Sequence, residues 1–386
     1  MHTSPTFSLP LLDRLGDRLE ADAAAGAIAG ADLLIGGTGG EIWRRTAGFR
    51  DTVTGDPLKP DAVWRIYSMT KVMVSVAALV LAERGALRLD QPVADFIPAF
   101  ARLSRVNADG TRVPATAMPT IQDLLRHTAG IAYGYLGDGP TRRAYEADGL
   151  LAEDLDNAAF AERIARLPLE HEPGTVWHYS HATDVLGRVL EVAGGAEMQG
   201  VLDAALLEPL GLVDTRFRIP AGAAGRVAQP LPQATGQRPA FHDPALPKRG
   251  QRGNGGLVST VADYAAFLRM LLSGGSLGGM RVLAPTSVRL MTADHLGTTI
   301  AKGAYYPPGP GYGFGLGVAV RLVAGEAAFP GSVGDWFWSG VGGTYFWVDP
   351  AASFFALLMM QTSSAVQRQH YRTLIRAMVY AALDVP

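Results

Sequence analysis

The stretch Trp64-Arg65-Ile66-Tyr67-Ser68-Met69-Thr70-Lys71 sets a serine and a lysine three residues apart at the head of a long apolar run, Val72 to Ala82. Spacing of three places Ser68 and Lys71 on one face of a helix, about one turn apart. At a helix N-terminus, free backbone N–H groups and the macrodipole favour negative charge on a serine oxygen. A lysine beside it in apolar surroundings can lose its proton near neutral pH and serve as base. An ordinary helix cap followed by a solvated lysine would give the same four letters. Here, however, Lys71 is the only charged residue between Arg65 and Glu83, so the helix is expected to be buried nearly all round. A buried lysine needs a reason, and activating Ser68 supplies one.

Composition narrows the alternatives. A chain of 386 residues can hold one large domain or two intergrown ones, and 48% hydrophobic against 18% charged residues describes a sizeable globular core. A net charge of −2 offers no footprint for nucleic acid or an anionic membrane. Cysteine is absent, which excludes disulfides, thiolate metal sites and cysteine nucleophiles. Met1 to Arg14 lacks a basic segment followed by an apolar one, and no apolar run is long enough to span a bilayer. A cytoplasmic protein without nucleic-acid or membrane partners is therefore expected.

Periodicity predicts an amphipathic helix over Leu11–Ala24 and a hairpin of Asp32–Gly36 with Glu41–Thr46. Short helices at Ile121–Arg126, Ala158–Arg166 and Thr183–Ala193 follow the Ser68 helix. Residues 221–253 read as irregular. Val261–Leu272 and Gln367–Leu383 read as helices, and Gly311–Leu322, Gly343–Val348 and Phe354–Met360 as strands. Strands at both ends around a helical middle predict a sheet domain from residues 1–88 and 221–386, with a helical domain, 89–220, inserted and the site in the cleft between them.

Two further segments carry chemistry. Tyr179-Ser180-His181 lies between the turn Pro173-Gly174 and a helix, on a connection. A phenol beside a cationic lysine becomes acidic enough to shuttle a proton. Trp338-Ser339-Gly340-Val341-Gly342-Gly343-Thr344 precedes a strand, and its small residues let a substrate approach the backbone. An N–H there could form half of an oxyanion hole, with the N–H of Ser68 as the other half.

Together these pieces resemble the serine β-lactamase and penicillin-binding-protein superfamily, in which Ser-x-x-Lys is a signature. The likeness is closest to class C β-lactamases and, within that branch, family VIII carboxylesterases. Leu89-Asp90-Gln91-Pro92-Val93, Leu124-Leu125-Arg126-His127-Thr128-Ala129-Gly130 and Gly255-Gly256-Leu257-Val258-Ser259-Thr260 extend it over nearly the whole chain. The resemblance implies an α+β fold: an antiparallel sheet flanked by helices, plus the inserted helical domain. It also implies an acyl-enzyme on Ser68, Lys71 and Tyr179 as one proton relay, and the backbone N–H groups of Ser68 and Val341 as oxyanion hole. Which of Lys71 and Tyr179 takes the first proton stays open, because coupled sites titrate as a pair. No cofactor or metal is implied.

Departures from the lactamase pattern point to substrate. His181 stands where class C enzymes have asparagine, and Trp338 where they have the lysine that helps hold the substrate carboxylate; the esterases share the tryptophan. An indole in place of a cation favours a neutral, hydrophobic ester. Tyr133, His181 and Trp338 are the expected pocket residues, and a short-chain carboxylic ester the expected small-molecule partner. A β-lactamase, D-alanyl peptidase or acyltransferase keeps the fold with another substrate; a penicillin-binding sensor that does not turn over is the non-enzymatic alternative.

Other motifs read as structural. Gly274-Gly275-Ser276-Leu277-Gly278 matches a hydrolase elbow but follows a helix, so a surface turn is expected. Gly311–Gly317 has no helix after it to take a phosphate. His127 sits at a helix end. His171, His178 and His181 lack the helix of a zinc site, and Glu170 and Glu172 read as loop carboxylates.

Overall fold

The anticipated hairpin forms, with longer arms than the pattern suggested: β1, Gly30–Gly37, and β2, Gly40–Asp51. The structure is a computed structural model and describes residues 5–384. β3, Asp56–Pro57, extends the hairpin at one edge, and five strands come from the far end of the chain. These are β4, Tyr312–Phe314; β5, Ala319–Arg321; β6, Trp336–Ser339; β7, Tyr345–Asp349; and β8, Phe354–Met360. They form one eight-stranded sheet in the order β4-β5-β6-β7-β8-β1-β2-β3, antiparallel throughout. The two halves of the sequence join at β8 and β1, where Phe354 pairs with Gly37 and Met360 with Ala31. The fold is thus α+β, as the resemblance implied.

β1 and β8 are buried along their whole length, which requires cover on both faces. Helix α1, Leu9–Ala24, packs on β2 and on the C-terminal helix, while Val261–Leu272 packs on β8 and β1. The Ser68 helix is α2, Thr70–Glu83, in which every residue from Thr70 to Leu81 is buried. A helix apolar on all sides belongs in the interior, each large side chain contributing about 1.5–3 kcal/mol by burial. It stops where Gly85 takes φ +74°. Within residues 89–220 short helices outnumber strands, and α3, Ala182–Gly194, packs directly on α2. The C-terminal helix is Ala365–Ala382, two residues earlier at its start than the pattern suggested. Among the described residues no helix is long and apolar enough to cross a membrane.

Two local readings change. Gly311–Leu322 is not one strand but the hairpin β4–β5, with Tyr312 opposite Arg321. Gly317 makes the turn at φ +91°, and a Cβ there would come within 2.2 Å of the Ser75 hydroxyl, so the turn rests on α2. Ser68 is not in the α-helix itself but in a 3₁₀ turn, Tyr67–Met69, immediately before it. Gly274 and Gly275, at φ +70° and +97°, lead into the small hairpin of Ser276–Leu277 with Met280–Arg281.

Candidate active site

Three chain segments converge on Ser68. The first is its own turn. Tyr67 holds φ +45°, a conformation rare for a bulky residue, and its ring is wedged edge-on against Phe241 and His242. Burial pushes the Tyr67 phenol up to about 12, so it remains neutral there. Lys71 is 1% exposed, and its Nζ donates to Ser68 Oγ at 3.1 Å and to the Asn254 carbonyl at 2.7 Å. The anticipated side-by-side placement of hydroxyl and amine is therefore present, with the amine out of solvent.

The second segment brings aromatic rings. Lys71 Nζ lies 4.7 Å from the Tyr179 ring centroid and 5.6 Å from that of Tyr133. Nitrogen over an aromatic face is held by the ring quadrupole. Among the described residues no hydrogen bond joins the Tyr179 hydroxyl to Ser68 or Lys71, so the phenol is adjacent to the pair without being bonded to it. Burial, then the Tyr179, Tyr135 and Asp184 charges, pushes Tyr133 well above the usual phenol range. Tyr133 is thus a neutral wall residue, stacked on Tyr135 at 4.9 Å.

The third segment is the turn after β6. Thr344 donates to the Ile66 carbonyl at 3.2 Å, tying the turn to the residues before Ser68. Glycine is required on its inner side. A Cβ on Gly340 would meet the Ile66 carbonyl at 2.6 Å, and one on Gly342 would strike the Tyr67 ring at 2.3 Å. The backbone N–H groups of Ser68 and Val341 donate to no group among the described residues. Both residues line one cavity of about 410 Å³, with Tyr133, Tyr135, Phe217 and Leu246 among its walls.

Not every anticipated pocket residue reaches that cavity. His181, 2% exposed, lies behind Tyr133, its Nδ1 2.7 Å from Asp184 Oδ2. Its place is set by a buried carboxylate, so it lines no part of the Ser68 cavity. Trp338, 3% exposed, is packed between Tyr179 and Phe314 and borders a second cavity on the other side of β6. The indole supports Tyr179 from behind rather than walling the Ser68 cavity.

Sequence reasoning missed two residues that organise the centre. Asn254, whose carbonyl accepts from Lys71, takes its own N–H to Asp184 Oδ1 at 3.0 Å. Gly253 lets this loop lie on α3, since a Cβ there would come within 2.4 Å of the Thr183 carbonyl. The available signals were faint: an aspartate three residues after His181, and an asparagine just before Gly255-Gly256.

The remaining candidates sit apart from the reaction. His127 is buried at φ +57° against the Tyr179 ring, its imidazole held well below the usual range by burial and by the Lys71 charge. Among the described residues no carboxylate partners it, as a triad base would require. Glu172 is bound to Arg105 at 2.8 Å and to the Thr116 N–H at 3.0 Å. The His171 and His178 rings lie 5.3 Å apart, while His181 turns to Asp184.

With this geometry in place, the chain can be set beside known proteins. Residues 16–379 match the family model described as Beta-lactamase. Esterase EstB of Burkholderia gladioli is 31% identical over 375 residues, spanning 92% of this chain and 91% of its own. EstCE1, described as a hydrolase with promiscuous acyltransferase activity, superposes with a TM-score of 0.78 at 27% identity, over 96% of this chain and 99% of its own. Unliganded simvastatin synthase LovD from Aspergillus terreus superposes with a TM-score of 0.80 at 24% identity, over 96% of this chain and 98% of its own, a likeness of fold.

Proposed function

Because the chain belongs to the beta-lactamase family, we propose that it is a serine hydrolase cleaving carboxylic esters through an acyl-enzyme on Ser68. The observation that carries this reading is the Lys71 amine, withdrawn from solvent, 3.1 Å from Ser68 Oγ and fixed on its far side by the Asn254 carbonyl. Anchored to that carbonyl, the amine nitrogen stays within hydrogen-bonding distance of the serine hydroxyl. Ser68 Oγ bonds to the ester carbonyl carbon as its proton passes to the Lys71–Tyr179 pair. The carbonyl oxygen, now an anion, is held by the N–H groups of Ser68 and Val341, each worth up to a few kcal/mol. The same pair returns the proton to the departing alcohol, and the C–O bond to it breaks. Water then repeats the sequence on the acyl-enzyme, giving acid and free Ser68.

Tyr133, Tyr135, Phe217 and Leu246 give the cavity an apolar wall that suits a compact ester, while Arg218, Lys248 and Arg252 on the same lining place cations at its polar side. Transfer to an alcohol instead of water is a second reading, favoured by the description of EstCE1. The test is hydrolysis of p-nitrophenyl butyrate by wild type and Ser68→Ala, with a chromogenic cephalosporin and an added alcohol as further arms. Wild-type turnover faster on the ester, and abolished by Ser68→Ala, is expected. Full activity in Ser68→Ala overturns the reading.

A further inference from the structure

Arg372 is a cation in an unusual place. It lies on the C-terminal helix behind β6, and no carboxylate among the described residues is within ion-pair distance of it. The contrast is Arg376, one turn on, which is paired with the buried Asp335. Arg372 instead donates to the carbonyl of Gly340 at 3.0 Å, lies 5.7 Å from the Tyr345 ring centroid, and keeps its Nε buried without a partner. Burial lowers its guanidinium to about 10, which leaves it charged at neutral pH. Half-buried, this cation is partly desolvated with no counter-charge, so the one strong bond it makes needs an account.

That bond falls on the peptide unit whose other end is the N–H of Val341. A peptide is planar and trans, so its C=O and N–H point in opposite directions. Fixing the Gly340 carbonyl toward Arg372 therefore aims the Val341 N–H the opposite way. The cavities agree with this division. Arg372 and Ser339 border the second cavity, of about 310 Å³, whereas Val341 borders the cavity that holds Ser68. The Gly343 N–H also donates to the Gly340 carbonyl, at 3.1 Å, so two donors pin one oxygen. The guanidinium bond is charge-assisted, and drawing electron density to the carbonyl oxygen makes the N–H of the same peptide a stronger donor.

We propose that Arg372 is the positioning residue of the oxyanion site, holding and polarising the Gly340–Val341 peptide so that its N–H meets the developing alkoxide. This rests on the acyl-enzyme reading of Ser68. It does not place Arg372 in contact with substrate.

The experiment compares wild type, Arg372→Gln and Arg372→Ala on p-nitrophenyl butyrate, and measures inhibition of each by butyl boronic acid, whose tetrahedral adduct on a serine mimics the oxyanion. Arg372→Gln keeps a donor without charge and guards against a misfolded alanine variant. Expected is a fall in kcat of about 10- to 100-fold for the alanine variant, less for glutamine, with KM within about twofold. Boronate affinity should fall in step with kcat, and millimolar guanidinium should restore part of the activity of Arg372→Ala. A merely structural role would lower the melting temperature and leave boronate affinity unchanged. Wild-type kcat and boronate affinity in the glutamine variant, or in both, would overturn the proposal. Failure of the underlying reading is distinct: the boronate would then not inhibit wild type at all.

Discussion

Replacing Asp184 by alanine should damage both the stability and the chemistry of this protein. The carboxylate is 3% exposed and accepts from His181 Nδ1 at 2.7 Å and from the Asn254 N–H at 3.0 Å. Removing it leaves two buried donors unsatisfied, at about 1–3 kcal/mol each, so about 2–6 kcal/mol of stability is lost. The same substitution frees the peptide whose carbonyl fixes Lys71 Nζ. A shift of about 1 Å in a reacting group can cost about a hundredfold in rate, and a loss of kcat between about ten- and a hundredfold is expected. Asp184→Asn retains an acceptor for the Asn254 N–H and should lose far less on both counts. Thermal melts and steady-state kinetics on p-nitrophenyl butyrate, with the fraction of competent sites counted by a fluorophosphonate, separate the two effects. An alanine variant with lowered melting temperature but wild-type kcat per competent site refutes the reasoning, since Lys71 would then keep its place without the carboxylate.

Gly342→Ala should lower kcat while costing about 1–3 kcal/mol, because its Cβ meets the Tyr67 ring, itself held by Phe241 and His242, beside Ser68; unchanged kinetics would show that the turn yields freely. Asp335→Ala should destabilise by about 3–5 kcal/mol, read by denaturant melts, since it leaves the buried Arg321 and Arg376 without their shared carboxylate. Stability should also fall with acid. His242 is lowered to about 4, by burial and then by Arg65 and Lys248, and His127 is held well below its usual range. The unfolded chain therefore takes up protons below about pH 6.5 that the folded chain refuses. Each imidazole contributes its full share above that pH and loses about 1.4 kcal/mol per unit as pH falls toward its folded value. Melting temperatures between pH 7.5 and 5 should drop, and more shallowly in a His242→Gln variant.

The sheet was largely legible because its determinants are local. Glycines mark the hairpin, and the continuous apolar run Phe354–Met360 could only be a buried strand or helix. β6 escaped notice because Trp336-Phe337-Trp338-Ser339 is short and sits next to a glycine-rich turn that dominates the pattern. The β4–β5 hairpin escaped because its turn is decided by contact with Ser75, far away in sequence. Around Ser68, the spacing to Lys71 was readable since one helical turn fixes it. Sequence carries no depth: His181 and Trp338 both stand next to site residues, yet their partners, Asp184 and Phe314, turn them inward, away from the cavity. Asn254 and Arg372 act through backbone carbonyls, a role that any donor or any peptide could fill and that no motif records.

The most direct measurement is to mix the protein with p-nitrophenyl butyrate, quench in acid within the first turnovers, and map the peptides by mass spectrometry. A butyryl group on the peptide containing Ser68, formed with a burst of p-nitrophenol and lost on standing, is the predicted result. Turnover of the ester with no adduct at Ser68, or with the adduct on another residue, would contradict it.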